Sequence, residues 1–98
     1  AGMAQGMGMA RQAEVERLST LPVPQAEILF LQLMHRHHQG GVMMAEQVFE
    51  TNPQIDVARM AQGIVSGQRL ELKIIESFLR QRNASIPATL PPMRMPAK

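Results

Sequence analysis

Two segments decide the fold: PQAEILFLQLMHRHHQGGVMMAEQVFET at residues 24–51 and PQIDVARMAQGIVSGQRLELKIIESFLRQR at residues 53–82. Neither has a proline after its first residue. In the first, Gln32, Arg36, Gln39, Met43, Glu46 and Glu50 recur at spacings of three and four, which makes a solvated helical stripe. The opposite stripe reads Phe30, Met34, His37 and His38, Gly41, Met44 and Ala45, Val48. In the second segment Arg59, Gln62, Ser66, Arg69, Lys73 and Glu76 form the wet face. Its dry face is Val57, Met60 and Ala61, Ile64, Gln68, Glu71, Ile75, Phe78 and Leu79. Asn52-Pro53 reads as an N-cap and first-turn pair for the second helix, with Asp56 at its positive end. So short a junction folds the two helices back as an antiparallel hairpin. The chain is all-α.

Outward from this hairpin the sequence changes character. The step Leu21-Pro22-Val23-Pro24 breaks the chain upstream, because each proline removes a donor and holds the residue before it extended. Ahead of it, residues 11–19 (RQAEVERLS) form a short helix with Val15 and Leu18 on one side. Residues 1–10 are a flexible Met/Gly-rich arm. Residues 83–98, with four prolines and Met93 and Met95, are a tail expected to be extended or disordered. The helical domain is therefore expected over residues 11–82. Two long helices cannot cover each other's apolar stripes, and the short helix is too small to act as a lid. A second copy of the hairpin solves the packing, so a homodimer forming a four-helix bundle about a two-fold axis is expected. Gly40, Gly41, Gly63 and Gly67 each cost up to ~1 kcal/mol of helix propensity. They point to close helix approach or to room for something bound.

Composition narrows the function classes. Ninety-eight residues, 45% of them hydrophobic, make one small domain. The absence of cysteine removes disulfides, thiolate metal sites and cysteine catalysis. Net charge is +2, and the eight arginines are spread singly among eight acids with no Trp, no Tyr and three Phe. Nucleic-acid binding wants a basic stripe and aromatic platforms, so it is set aside. No apolar run approaches the ~18–20 residues of a membrane span, and no basic-then-apolar signal segment opens the chain. The opening Ala1-Gly2-Met3 reads as a processed or cut end. Nine methionines are several times common usage.

The informative feature is polar chemistry on the dry faces. Gln68 and Glu71 fall near the middle of the second helix's apolar stripe, flanked by Ile64 and Ile75, where a carboxylate needs a partner. Glu27, Met34, His38 and Gly41 share the centre of the first helix's stripe, with His37 about a quarter-turn aside. His35 reads as a surface residue. Facing helices thus bring imidazoles, carboxylates, an amide and thioethers into one layer. Met34 and His38, one turn apart, can grip one ion from one helix. Thioether with imidazole suits Cu(I), and imidazole with carboxylate suits Cu(II) or Zn. The same layer also reads as a satisfied core network binding nothing. Met3, Met7 and Met9, with Met93 and Met95, sit on polar arms where core filling does not explain them, at spacings like those of copper-handling methionine motifs. Hydrolase and phosphate-loop chemistry fail on inventory: the serines lie away from the histidine pair, and no strand precedes a Gly-rich loop. The Glu-x-x-His motif of di-iron bundles is absent, although a dimer offers Glu27, Glu71 and His38 twice.

Glu27, Phe30, Met34, His37-His38, Met44-Ala45 and the later Gln68-Arg69-Leu70-Glu71 together resemble the pattern of the domain-of-unknown-function 305 family across residues 27–79. The resemblance implies a ferritin-like helical bundle, exported to the periplasm, the cell surface or beyond, with copper bound by some members. Two departures stand out. Ile75 occupies a position commonly Met, and the acidic residue at 27 is more often Asp. Members often carry two such hairpins in tandem, so this chain reads as one half, or as a fragment. The leading expectation is a non-catalytic, extracytoplasmic copper-binding protein serving storage, sequestration or tolerance. Its metal residues are Met34, His37, His38 and Met44, with Glu71, Gln68 and Glu27 as hard ligands or supports. The alternatives are a structural or interaction module with a buried polar network, and a di-metal oxidase bridging two chains.

Overall fold

The computed structural model describes residues 9–90, and among them there are three helices and no strand. Helix α1 is Gln12–Arg17, α2 is Val23–Phe49 and α3 is Ile55–Gln81; the two long helices have 27 residues each and pack together. Pro22 is the N-cap of α2 and Pro24 lies in its first turn, where no intrahelical N–H is lost. The element that breaks the chain upstream therefore also starts the first long helix.

The other long helix starts later than the sequence implies. Asn52 is not the N-cap of α3. It takes a left-handed conformation, φ 57°, just past the end of α2, and Gln54 is the N-cap instead. Asparagine tolerates that conformation almost as glycine does, so it stops a helix as readily as it starts one. The same device closes α3. Asn83, φ 54°, donates its N–H to the Arg80 carbonyl while Ala84 donates to Leu79, which is the pairing of a Schellman stop. Ala84 then packs on the apolar cluster beneath it.

The seam between α2 and α3 follows a tight alternation of three and four. On α2 it runs Ile28, Leu31, His35, His38, Val42, Ala45; on α3, Ala61, Val65, Gln68, Leu72, Ile75, Leu79. Its apolar parts collect at the two ends. Leu31, Ile75 and the fully buried Leu79 form one cluster, and Ala45, Ala61 and Val65 form the other. Between them the seam carries His35, His38 and Gln68 beside Val42 and Leu72.

Helix α1 is attached through Glu14, whose carboxylate accepts the Arg11 backbone N–H and reaches Arg36 on α2 at 3.4 Å. The Arg11 N–H, with Arg36 adding attraction, holds the Glu14 carboxyl below the ordinary glutamate value of 4.5 against the opposing effect of burial. A depressed folded value means that this attachment is at full strength above pH 4.5 and is lost as pH falls through the lower folded value. On the other side of the chain, residues 84–90 run without regular structure along α2. Gln32 Nε2 donates to the Ser85 carbonyl, Gln39 Nε2 donates to the Ala88 carbonyl, and Leu90 N–H donates to Gln39 Oε1.

Two substitutions test this packing by urea unfolding. Leu79→Ala should destabilise the hairpin by about 2–5 kcal/mol, since a fully buried leucine leaves a cavity. Gly63 has open space where a Cβ would stand, so Gly63→Ala should stabilise by about 0.5–1 kcal/mol.

Candidate metal centre

The middle of the seam holds two buried histidines, at 4% and 7% exposure. Each reaches one α3 carboxylate, and the two carboxylates lie on opposite flanks of the seam. His38 Nε2 is 3.1 Å from Glu71 Oε2, and His35 Nε2 is 2.9 Å from Glu76 Oε2. The expectation of His35 on the surface is corrected here. Spacings of three and four from Leu31 and to His38 put it inside the narrow seam, and it was missed because the broad apolar stripe is centred about a quarter-turn away.

Hydrogen-bond partners assign the two rings opposite tautomers. For His35, the Leu90 N–H fixes Gln39 Oε1 as acceptor, so Gln39 Nε2 donates to His35 Nδ1 at 3.0 Å. Nδ1 is then unprotonated, and Nε2–H donates to Glu76. Both ring nitrogens of His35 and both polar atoms of the Gln39 amide thus have partners. For His38, Nδ1 lies 2.8 Å from the Met34 carbonyl oxygen, which can only accept, so Nδ1 carries the hydrogen. Nε2 then faces the Glu71 carboxylate, another acceptor. Two acceptors at 3.1 Å are reconciled only by a cation between them, a proton or a metal ion. This marks His38–Glu71, rather than His35–Glu76, as the reactive pair.

Gln68 lies one turn before Glu71 and packs against Gly41, one turn after His38. A Cβ on Gly41 would stand 2.5 Å from Gln68 Oε1, so glycine is what gives the amide its place. That Oε1 is buried and has no hydrogen-bond partner. An oxygen donor is thus left over in the same layer as the cation-demanding pair.

The other residues singled out in the sequence are more scattered. His37 is exposed, its ring centroid 6.0 Å from that of His38. Met34 is half-buried and packs on the Leu31, Ile75 and Leu79 cluster. Met44 is 49% exposed and lines an apolar groove with Gly41, Val57, Met60, Ile64 and Gln68. Glu27 is exposed and reaches Arg82 at 3.6 Å, not the interior. Met3, Met7, Met93 and Met95 lie outside the described residues, and Met9 is exposed. Among the described residues no group of three or more His, Asp or Glu could by itself hold a metal ion. No helix among them is long and apolar enough to cross a membrane.

Imidazole nitrogen shifts check the tautomers: long-range proton–nitrogen NMR should show Nε2–H on His35 and Nδ1–H on His38. In Gln39→Ala the Leu90 amide should lose at least ten-fold of its hydrogen-exchange protection, and His35 its fixed tautomer.

The model of a family described as a domain of unknown function, DUF305, matches residues 1–79. Among solved structures, a crystal structure of a DUF305 fragment from Deinococcus radiodurans superposes with a TM-score of 0.76 at 48% identity. The alignment covers 82% of this chain and 52% of that one, so this chain spans about half the length of that structure. No curated protein matches the chain.

Proposed function

The chain belongs to the DUF305 family, and we propose that it is a metal-ion-binding helical protein whose ion is copper. The reading is carried by one observation: His38 Nε2, its Nδ1–H already given to the Met34 carbonyl, stands 3.1 Å from a Glu71 carboxylate oxygen, a contact that takes a cation. The unpartnered Gln68 Oε1, one turn before Glu71 on the same helix, supports the reading further. These donors are nitrogen and oxygen, which fits the cupric ion; of the thioethers, Met34 packs on the apolar cluster and Met44 lines the groove that Gln68 also lines. His38 and Glu71 would bind the ion directly. Met34, through its backbone carbonyl, orients the His38 ring so that Nε2 points at the site. His37 and Met44 stand at the rim. Storage, sequestration or tolerance, without catalysis and outside the cytoplasm, is the role that the family resemblance suggests.

The bundle formed by two copies belongs to the same proposal. The apolar stripe read from the sequence is wider than the seam that the hairpin closes. Of its residues, His38, Ala45, Ala61, Ile75 and Leu79 are used by the seam, whereas Phe30, Met44, Val57, Met60 and Phe78 stay 42–70% exposed. These exposed residues share one flank of the hairpin by helical period. The tail lies on the opposite flank, along Gln32 and Gln39. A second hairpin laid on the open flank would bury them.

One observation favours a structural module instead. Both ring nitrogens of His35 and the Gln39 amide that completes them are satisfied, as a register-setting core network needs. Titration with Cu(II) separates the readings. The intact chain should bind tightly, His38→Ala should weaken binding at least 100-fold, and Glu71→Gln should weaken it about 10–100-fold. Removal of residues 1–10 should leave it unchanged. Equal binding by His38→Ala would move the site elsewhere, and no binding by the intact chain would leave the structural reading.

A further inference from the structure

We propose that the His38–Glu71 pair is one half of a shared ion site, and that a second copy of this chain supplies the other half. This rests on the copper-binding reading above and specifies where the ion's remaining ligands come from. One hairpin offers two well-placed donors, and no third His, Asp or Glu joins them among the described residues. The spacing of the two is that of ligands on one ion. Atoms each ~2.0–2.1 Å from an ion lie 3.1 Å apart when the angle between them is about 100°. Two such pairs make a set of two imidazoles and two carboxylates, the four-coordinate complement of a divalent transition ion.

The position of the pair in the fold allows the doubling. Glu71 is 58% exposed in its side chain and turned toward the open flank, in line by helical period with Met60, Ile64 and Phe78. A two-fold axis that stacks two open flanks lies within their interface and runs either along the helices or across them. Along the helices, every layer meets its own copy. Across them, only layers near mid-length do. The middle of α2 is residue 36 and that of α3 is residue 68, so His38 and Glu71 lie two and three residues from the centres. At ~1.5 Å per residue the backbone positions of the two copies fall within roughly 6–9 Å of each other along the axis, an offset that the histidine and glutamate side chains must span to meet at one ion. The Phe30 and Phe78 end or the Met60 end is duplicated side by side only in the first arrangement. The mid-length layer is duplicated in both.

Exposed apolar residues and donors occupy the same flank, so closing the flank and completing the ion belong to one event. Ion binding and dimerisation are then linked: each strengthens the other by the same factor.

The experiment uses the full chain with Cu(II) as probe. Titration should saturate at one ion per two chains, and sedimentation should show the dimer dissociation constant falling at least ten-fold when the ion is added. Met60→Glu charges the open flank at a residue 70% exposed and outside the donors. It should keep the helical circular dichroism, remain monomeric and bind Cu(II) at least ten-fold more weakly. Electron paramagnetic resonance of the loaded protein should show nitrogens from two imidazoles. Saturation at one ion per chain, or undiminished binding by monomeric Met60→Glu, overturns the shared site while leaving copper binding intact. Absence of binding by the intact chain overturns both. Should Met60→Glu not fold, the stoichiometry and the nitrogen count of the unaltered protein still decide.

Discussion

Two imidazoles lie inside a seam only two helices wide, and a buried imidazole needs a partner at each ring nitrogen. Much of the structure follows from meeting that requirement. Each histidine takes a carboxylate from α3 at Nε2 and must find its Nδ1 partner elsewhere: His38 turns back to the Met34 carbonyl of its own helix, and His35 accepts from Gln39. Because the two glutamates stand on opposite flanks, the polar layer runs across the whole hairpin. It separates the apolar core into a Leu31, Ile75 and Leu79 cluster at one end and an Ala45, Ala61 and Val65 cluster at the other. A core divided in this way is small at each end.

The two flanks are then treated differently. On one, residues 84–90 are drawn against α2 by the amide groups of Gln32 and Gln39, and the second of these also completes His35. That flank is closed by the chain itself. On the other, Phe30, Met44, Met60 and Phe78 remain exposed around Glu71 and the edge of Gln68. The atoms without a neutral match, His38 Nε2 against Glu71 and the Gln68 carbonyl oxygen, are in the layer that adjoins this open flank. Satisfied chemistry coincides with the covered side and unsatisfied chemistry with the uncovered one. A helix pair with such a division is poised to acquire something on one face, and not on the other.

Several features were legible in the sequence for direct physical reasons. Helical period identified two long helices, and the short junction after Thr51 set them antiparallel. Gln68 and Glu71 stood out because polar groups at apolar stripe positions must be paired, and His38 was brought to Glu71 as that reasoning required. The tight fit of Gln68 on Gly41 accounts for one of the helix glycines. Other features were misread, Glu27 among them, which lies exposed against Arg82 and not at the centre of the stripe. Asn52 serves as a helix stop, since asparagine satisfies both a cap and a left-handed turn and only the course of the chain selects between them. Gln32 and Gln39 sat on the wet stripe, yet they bind backbone more than fifty and near fifty residues away, contacts with no local period. His35 was placed outside because the stripe it was measured against belongs to two surfaces at once.

That last point separates the two levels. The sequence by itself determined the helices, their antiparallel pairing and the residue types of the central layer, because these depend on local period, chain-breaking residues and the demand of buried polar groups for partners. Only the tertiary structure decided which part of the apolar stripe closes the hairpin and which part stays open, which histidine is fully matched and which faces a carboxylate in a contact that takes a cation, and which flank the tail covers. Those outcomes depend on rotations of a fraction of a helical turn and on contacts between residues far apart in the chain, to which a pattern of threes and fours is blind.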